Sequence, residues 1–416
     1  MTTRAAVMLV CFGACLAAAA PARAQTKTAG KPAAKSAAAP ASTAKFNALS
    51  AQAEAARQGG QLDQAVDLYQ QALAIKPAWT EGRWSLGMAL YDLDRFEPAR
   101  DAFRRVLATR GQDKNGTAWA MKGLCEYRLK NYDAALADLL RARRFGVSSN
   151  AAVVEVARYH TAVLSIRNEQ YDQALGILAE FALDGNESPR IIEAMGLATL
   201  RLPMLPDELP GEKREMVMMA GRARYFMAAR MGPAAQNAYE TLANRFPDTP
   251  NVHYAFGLYL MAEQPDAAIA EFKRELAITP QHVQAKVQIA SALIRRGDFE
   301  GAKPWAQQAV DSAPTDFVAR NALGQSLLET GDVPGAIREL EQGVKMAPEV
   351  PVMHFALARA YRRAGRGPDA DREQAEFMRL DRLARASRTG AASVGGIDSA
   401  ESRSSAGSST KKPQPR

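Results

Sequence analysis

The sequence predicts an all-α solenoid of about nine helix-turn-helix repeats plus a half repeat, flanked by disordered ends, and three observations predict it. Prolines recur 34 residues apart at Pro280, Pro314 and Pro348, each closing an amphipathic helical stripe. Glycines recur at the same interval at Gly297, Gly331 and Gly365, each between two helical patterns. A small residue followed four positions on by a large one returns in register along the chain. With 47% hydrophobic and 24% charged residues over 416 positions, every repeat can bury a core. A mean hydropathy of −0.26 excludes a polytopic membrane protein.

Along the chain, residues 1–24 carry the marks of an export signal: Arg4, an apolar stretch from Ala5 to Ala20, and the small-x-small site Ala22-Arg23-Ala24, with cleavage expected after Ala24. A membrane anchor is one alternative, but the apolar run falls short of the ~20 residues a spanning helix needs. Lipidation at Cys15, within Phe12-Gly13-Ala14-Cys15, is another. The expected location is therefore periplasmic or secreted, with no membrane span in the mature chain. Cys11 and Cys15 would leave with the signal, so Cys125 has no partner for an intramolecular disulfide and reads as a packed small hydrophobe. Residues 25–45, almost entirely Ala, Lys, Thr, Ser and Pro, form an expected disordered linker, and 387–416, rich in Ser and Gly, an expected disordered tail. Neither can bury enough apolar surface to offset its ordering entropy.

Between these ends, Gln64 to Pro77 places Ala65, Tyr69, Ala72 and Leu73 on one helical face. The figure returns at Ala268, Phe272 and Pro280, at Ala302, Ala309 and Pro314, and at Ala336, Leu340 and Pro348. A preceding helix, closed by a turn glycine (Gly60, Gly297, Gly331, Gly365), carries a small residue between hydrophobes: Leu86-Gly87 with Leu90, Leu323-Gly324 with Leu327, Leu357-Ala358 with Tyr361. The small residue lets two helices approach, and the bulky ones fill the space beside it. In this register the chain resembles the tetratricopeptide repeat (TPR) family, a 34-residue helix-turn-helix unit. The family's small second-helix residue falls at Ala65, Ala99, Ala135, Ala174, Ala235, Ala268, Ala302, Ala336 and Ala370, and seven of the nine have a large apolar residue four positions on. The resemblance implies a right-handed stack, with an N-terminal array over 46–186, a degenerate half repeat and Pro-rich loop over 187–215, and a C-terminal array over 216–386. The pattern is weakest between about 145 and 215.

Ile191 to Leu197 reads as a first helix, but its expected partner is replaced by Leu202 to Gly211, where Pro203, Pro206 and Pro210 forbid a regular helix interior. An irregular loop is expected there, either packed on its neighbours or docking a partner.

Chemistry-bearing motifs are absent. The histidines His160, His253, His282 and His354 lack metal-ligand spacing, and there is no phosphate-cradling loop, nucleophile elbow or Cys-x-x-Cys. No catalytic residue, cofactor or metal is expected, and His253 and His354 read as packing residues. Of the +8 formal charge, residues 1–24 hold +2, 25–45 hold +4 and 387–416 hold +3, leaving −1 for the body, so nucleic acid is not an expected partner. The resemblance implies a protein or peptide ligand in a concave groove lined by the first helices. By pattern position that groove takes Trp84, Met88 and Tyr91; Leu124 and Tyr127; Tyr254, Leu258 and Met261; Asn321 and Gln325; and Phe355, Arg359 and Arg362. The alternative for each aromatic is repeat core. The Lys of the carboxylate clamp found in some family members is missing beside Asn321 and Arg359, so chaperone-tail recognition does not transfer. The expected function is a non-catalytic scaffold or adaptor outside the cytoplasm. The alternative is a structural envelope component that self-associates or supports cell-wall or polysaccharide-export machinery.

Overall fold

The computed structural model describes residues 38–148 and 151–395, with side chains described between 41 and 386. The expected export signal at 1–24, the expected linker up to residue 37 and the expected tail from 396 lie outside the described residues. The chain divides into two compact units at Pro77. Among the described residues, the first unit holds α1 (Ala38–Gln58) and α2 (Leu62–Ile75). Here Glu54 accepts a hydrogen bond from the Tyr69 hydroxyl at 2.8 Å. The Arg57 guanidinium beside Glu54 is the main cause that holds its carboxyl down at about 2.

The second unit opens with the pairs α3 (Thr80–Asp92) and α4 (Phe96–Leu107), α5 (Gly116–Arg128) and α6 (Tyr132–Phe145), and α7 (Ala151–Arg167) and α8 (Tyr171–Leu183). The single helix α9 (Pro189–Thr199) and a 3-10 turn at Pro206–Glu208 follow. Five pairs complete the unit: α10 (Gly211–Ala228) and α11 (Gly232–Arg245), α12 (Val252–Leu260) and α13 (Pro265–Ile278), α14 (Val283–Arg295) and α15 (Phe299–Ser312), α16 (Phe317–Glu329) and α17 (Val333–Met346), and α18 (Pro351–Arg363) and α19 (Gly367–Gly395). Among the described residues there are thus nine pairs and one extra helix, and no strand.

The small-then-large pattern explains the pairing. All nine register alanines, from Ala65 to Ala370, are completely buried. The large side chain four positions on seats in a notch left by a first-helix glycine: Phe103 against Gly87, Leu139 against Gly123, Phe272 against Gly257 and Leu340 against Gly324. A β-carbon at Gly257 or Gly324 would come within 2.5 Å of that side chain, so the notch needs the missing methyl. Between the two helices of a pair the chain turns through the left-handed region, where glycine is unstrained; Gly297 (φ 79°) shows it, with Gly60, Gly331 and Gly365 at the same place. Several helix starts are capped by side chains, as where Asn115 accepts from the Ala118 amide at 3.0 Å and Asp332 from that of Gly335 at 2.9 Å.

Two expectations of disorder are corrected at their edges. Helix α1 begins at Ala38, so 38–45 of the linker is helical, and α19 runs on to Gly395, so 387–395 of the tail is helical. The first extension holds four Ala in eight residues, the residue that costs a helix least, so that terminal helix can lengthen without burying a new face.

The extra helix changes the packing rule at the middle of the second unit. α10 packs against α9 as closely as helices within a pair do, and also against α11 and α8. At the α9–α10 crossing the nearest group to each glycine is backbone, not a side chain. A β-carbon on Gly196 would lie 1.9 Å from the Val217 carbonyl oxygen, and one on Gly221 would lie 1.8 Å from that of Ile192, so two backbones meet directly through two glycines.

Candidate binding surface

Tyr127 stands in a polar and aromatic surface of the second unit. First helices α5 and α7 adjoin, as do α7 and α9, so side chains one repeat apart come within reach. The half-buried Tyr127 ring lies 4.1 Å from the His160 ring of α7 and 5.8 Å from Tyr132 at the start of α6. His160 also packs on Tyr159 at 5.3 Å. Burial, with the nearby Asp207 carboxylate next in order, pushes the Tyr127 phenol up to about 12. Burial first, then the positive charges of Arg128 and Arg190, hold His160 down at about 4, so its ring is neutral at pH 7. Its Nδ1 has no hydrogen-bond partner.

Guanidinium groups border these rings. Arg128 lies 4.2 Å from the Phe96 ring and donates to Asp94 at 3.0 Å, while Tyr91 meets Phe96 edge-on at 5.5 Å. Arg167 lies 4.8 Å from the Tyr132 ring. Tyr91, Phe96, Tyr127, His160 and Tyr132, bordered by Arg128 and Arg167, thus form a patch of rings and cations across the α3–α4, α5–α6 and α7 elements. Of the remaining sequence-derived positions here, Met88 is half-buried, Leu124 is buried, and Trp84 meets Phe103 edge-on at 5.2 Å, which ties it to the core of its own repeat.

The positions expected in the C-terminal array divide differently. Tyr254 is a correction: it is buried, its ring packs on His282 at 4.5 Å and Phe272 at 5.8 Å, and the Arg201 guanidinium sits 5.9 Å from it. The physical cause is the extra helix, because Arg201, just past α9, also covers Tyr171 of α8 at 4.9 Å and closes over the start of α12. Leu258, Met261, Asn321 and Gln325 are half-buried. Phe355 is 41% exposed and packs on Phe377 at 5.3 Å. Arg362 is exposed, and Arg359 is exposed but spends its charge on Glu329 at 2.5 Å, shared with Arg363 at 3.1 Å.

The rows that carry these residues are not continuous. α5, α7 and α9 form one run of adjoining first helices, and α14, α16 and α18 form another. Between them α10, the first helix of its pair, packs on α9 and adjoins the second helix α8, which interrupts the row of first helices. The sequence-derived positions therefore fall into two separate sets, one around Tyr127 and one from Met261 to Arg362.

Sequence reasoning missed a polar staple that recurs on the first helices. His253 faces the Pro247 carbonyl oxygen through Nε2 at 2.9 Å and the Glu271 carboxylate of the second helix through Nδ1 at 2.6 Å. His354 repeats it with Pro348 at 2.8 Å and Glu373 at 2.7 Å. Arg320 does the same with Pro314 at 2.9 Å and with Glu339. Each donor stands six residues after the proline, a spacing visible in the sequence.

Comparison with known proteins gives a consistent picture. Tetratricopeptide repeat family models match residues 48–78, 85–148, 221–283, 259–326 and 321–372, together more than half of the chain. They leave out 149–220, where the pattern is weakest and the extra helix sits. No curated protein matches the chain. Among solved structures, MamA 41-end from Desulfovibrio magneticus RS-1 is 19% identical with a TM-score of 0.38, over 41% of this chain and 96% of that one. YrrB, described as a TPR protein with an unusual peptide-binding site, is 15% identical with a TM-score of 0.35, over 41% of this chain and 89% of that one. With its repeat register, its buried alanines and the family-model matches over more than half of its length, the chain belongs to the tetratricopeptide repeat family.

Proposed function

We propose that the chain is a non-catalytic scaffold that holds a protein or peptide on the first-helix surface around Tyr127, and that it works outside the cytoplasm. The observation that carries this reading is the run of half-buried tyrosines and guanidinium groups from Tyr91 to Arg167. Tyr and Arg dominate interface energetics when a partner desolvates them, and rigid helices hold them in place. Among the described residues no three His, Cys, Asp or Glu side chains gather as a metal site requires, and no helix is long and apolar enough to cross a membrane. The pattern of Arg4, an apolar stretch and a small-x-small site within residues 1–24 supports the location, and the near-neutral body supports a protein over a nucleic-acid partner.

Site-specific photo-crosslinking in the producing cell tests the reading, with the probe at Tyr127 and a control at Lys273, exposed on α13. A discrete adduct from Tyr127 and none from Lys273 is the expected outcome. Adducts to the chain itself alone, or none, would sink it. A second reading, self-association of an envelope component, is favoured by one observation: the last pair, α18 and α19, leaves an apolar end. Val352, Phe355, Met378 and Leu383 are exposed there, beside a cavity of about 620 Å³ lined by Val350, Phe355, Phe377 and Asp381.

A further inference from the structure

The segment between α9 and α10 reads Leu202-Pro203-Met204-Leu205-Pro206-Asp207-Glu208-Leu209-Pro210. Its side chains part by chemistry: Leu205 and Leu209 are buried, while Asp207 and Glu208 are exposed. The segment holds its own shape. The Glu208 carboxylate accepts from the Leu205 amide at 2.8 Å, the Glu208 amide donates to the Leu205 carbonyl at 3.0 Å, and the Leu209 amide donates to that of Pro206 at 3.3 Å. Two buried leucines flanking an acidic turn, stiffened by proline, are the makings of a short peptide ligand: little conformational entropy remains to be lost on docking.

The acidic turn meets a surface of opposite charge. Arg167, at the end of α7, donates to both Glu208 carboxylate oxygens at 3.2 and 3.3 Å, and its guanidinium also lies over the Tyr132 ring. The negative charge of Asp207 reaches Tyr127 and Tyr159, and that of Glu208 reaches Tyr127. Arg128 and Arg190 stand close enough to act on His160 in the same cluster. The turn therefore borders the ring-and-cation surface already described. The Arg167–Glu208 ion pair is exposed and screened by water, so the carboxylate contact is easily exchanged.

We propose that this segment is a tethered ligand: it occupies the edge of the Tyr127 surface in cis, and the partner that surface takes in trans is a peptide of the same chemistry, extended by proline, with an acidic pair between two leucines. The inference rests on the scaffold reading and names its partner class. A tethered occupant competes at an effective concentration on the order of millimolar, so a weak cis contact suffices to keep casual partners off.

The test uses the full chain with 203–209 replaced by a Gly/Ser stretch of equal length, and the synthetic peptide Leu-Pro-Met-Leu-Pro-Asp-Glu-Leu-Pro carrying a fluorophore. Saturable binding to the replaced chain, at least tenfold tighter than to the native chain, is expected, together with recovery of part of the thermal stability lost on replacement. Binding should vanish when Arg167→Glu is added, or when the peptide's acidic pair is changed to Lys-Lys. Because the replacement removes two buried leucines and can unfold its surroundings, the paired variant Asp207→Asn with Glu208→Gln, at exposed positions, serves as a second opened form that adds no charge attractive to the peptide, and it should also gain peptide binding. A helical replaced or paired variant that binds no better than the native chain overturns the proposal, as does binding indifferent to Arg167. The crosslink from Tyr127 is read in the producing cell without the synthetic peptide, so its persistence beside a negative peptide result would remove the tethered ligand and leave the scaffold reading standing.

Discussion

Two buried histidines of the second unit should titrate in opposite senses. His282 begins α14: its Nδ1 accepts from the Ala285 amide at 3.2 Å and its Nε2 donates to the Asn251 side-chain oxygen at 3.1 Å, a pair that only the neutral ring can make. Burial first, and then the Arg201 charge, hold it down at about 4. Between the ordinary value of about 6.5 and this one, the unfolded chain takes up a proton that the fold refuses, so stability falls as pH drops through that window and is kept above it. The loss is on the order of 3 kcal/mol. His253 faces two acceptors, so the imidazolium satisfies both; its hydrogen bond to Glu271 is the chief cause that raises it. Its contribution is complete below about 6.5 and is lost as pH climbs through the raised value. Substituting His282→Asn keeps a helix-capping acceptor and removes the titration. Thermal melts of this variant should lose much of the decline between pH 6.5 and 4, and an unchanged acid slope would refute the assignment. Reading His253 and His354 as packing residues from sequence was right about their burial and missed their chemistry, because carbonyl and carboxylate partners converge only once the helices pair.

At the scale of elements, the repeat was legible because each pair needs one notch, one filler and one buried alanine at fixed spacing, and the same physics repeats. The break was half legible. The prolines announced that Leu202 to Gly211 could not continue as helix, but α9 was expected to lack a partner, whereas it packs on α10 through Gly196 and Gly221. Nothing local distinguishes these glycines from the notch glycines of other first helices; only the identity of the opposing group does, a backbone carbonyl instead of a movable side chain. That difference predicts a difference in cost. Gly221→Ala places a methyl where the Ile192 carbonyl stands and should destabilise by about 3 kcal/mol, since neither backbone can yield without moving a helix. Gly176→Ala, in the middle of α8 with nothing within 4 Å of the added carbon, should stabilise by about 0.5–1 kcal/mol by restricting the unfolded chain. Chemical denaturation of the two variants side by side checks the pair, and a tolerated Gly221→Ala would mean that α9 and α10 do not cross as closely as described. The same crossing explains why Tyr254 was misplaced from sequence: its register in α12 is ordinary, and what buries it is Arg201 brought over by the extra helix.

At the scale of the molecule, a repeat array must finish its two ends, because each pair leaves the next one's face to be covered. Inside the second unit that requirement is met by the following pair: Met353 of α18 is fully buried with its methyl close over Gly343 of α17. After α19 no described pair follows, and Val352, Phe355, Met378 and Leu383 remain 48%, 41%, 53% and 56% exposed, where a capping pair would carry polar residues. An uncapped apolar end is a site for association. A second copy docking by the same α18–α19 surface satisfies it with two-fold symmetry, and such an interface closes at two copies, whereas a head-to-tail contact would propagate. Light scattering over a concentration series should therefore show mass rising to that of a dimer and stopping there. Phe355→Glu puts a charge into the centre of the apolar cavity without touching a buried position, and should hold the protein as a monomer at every concentration with its helicity unchanged. Mass that grows past two copies would point to head-to-tail stacking, and a native chain that is monomeric throughout would leave the self-association reading without its one support.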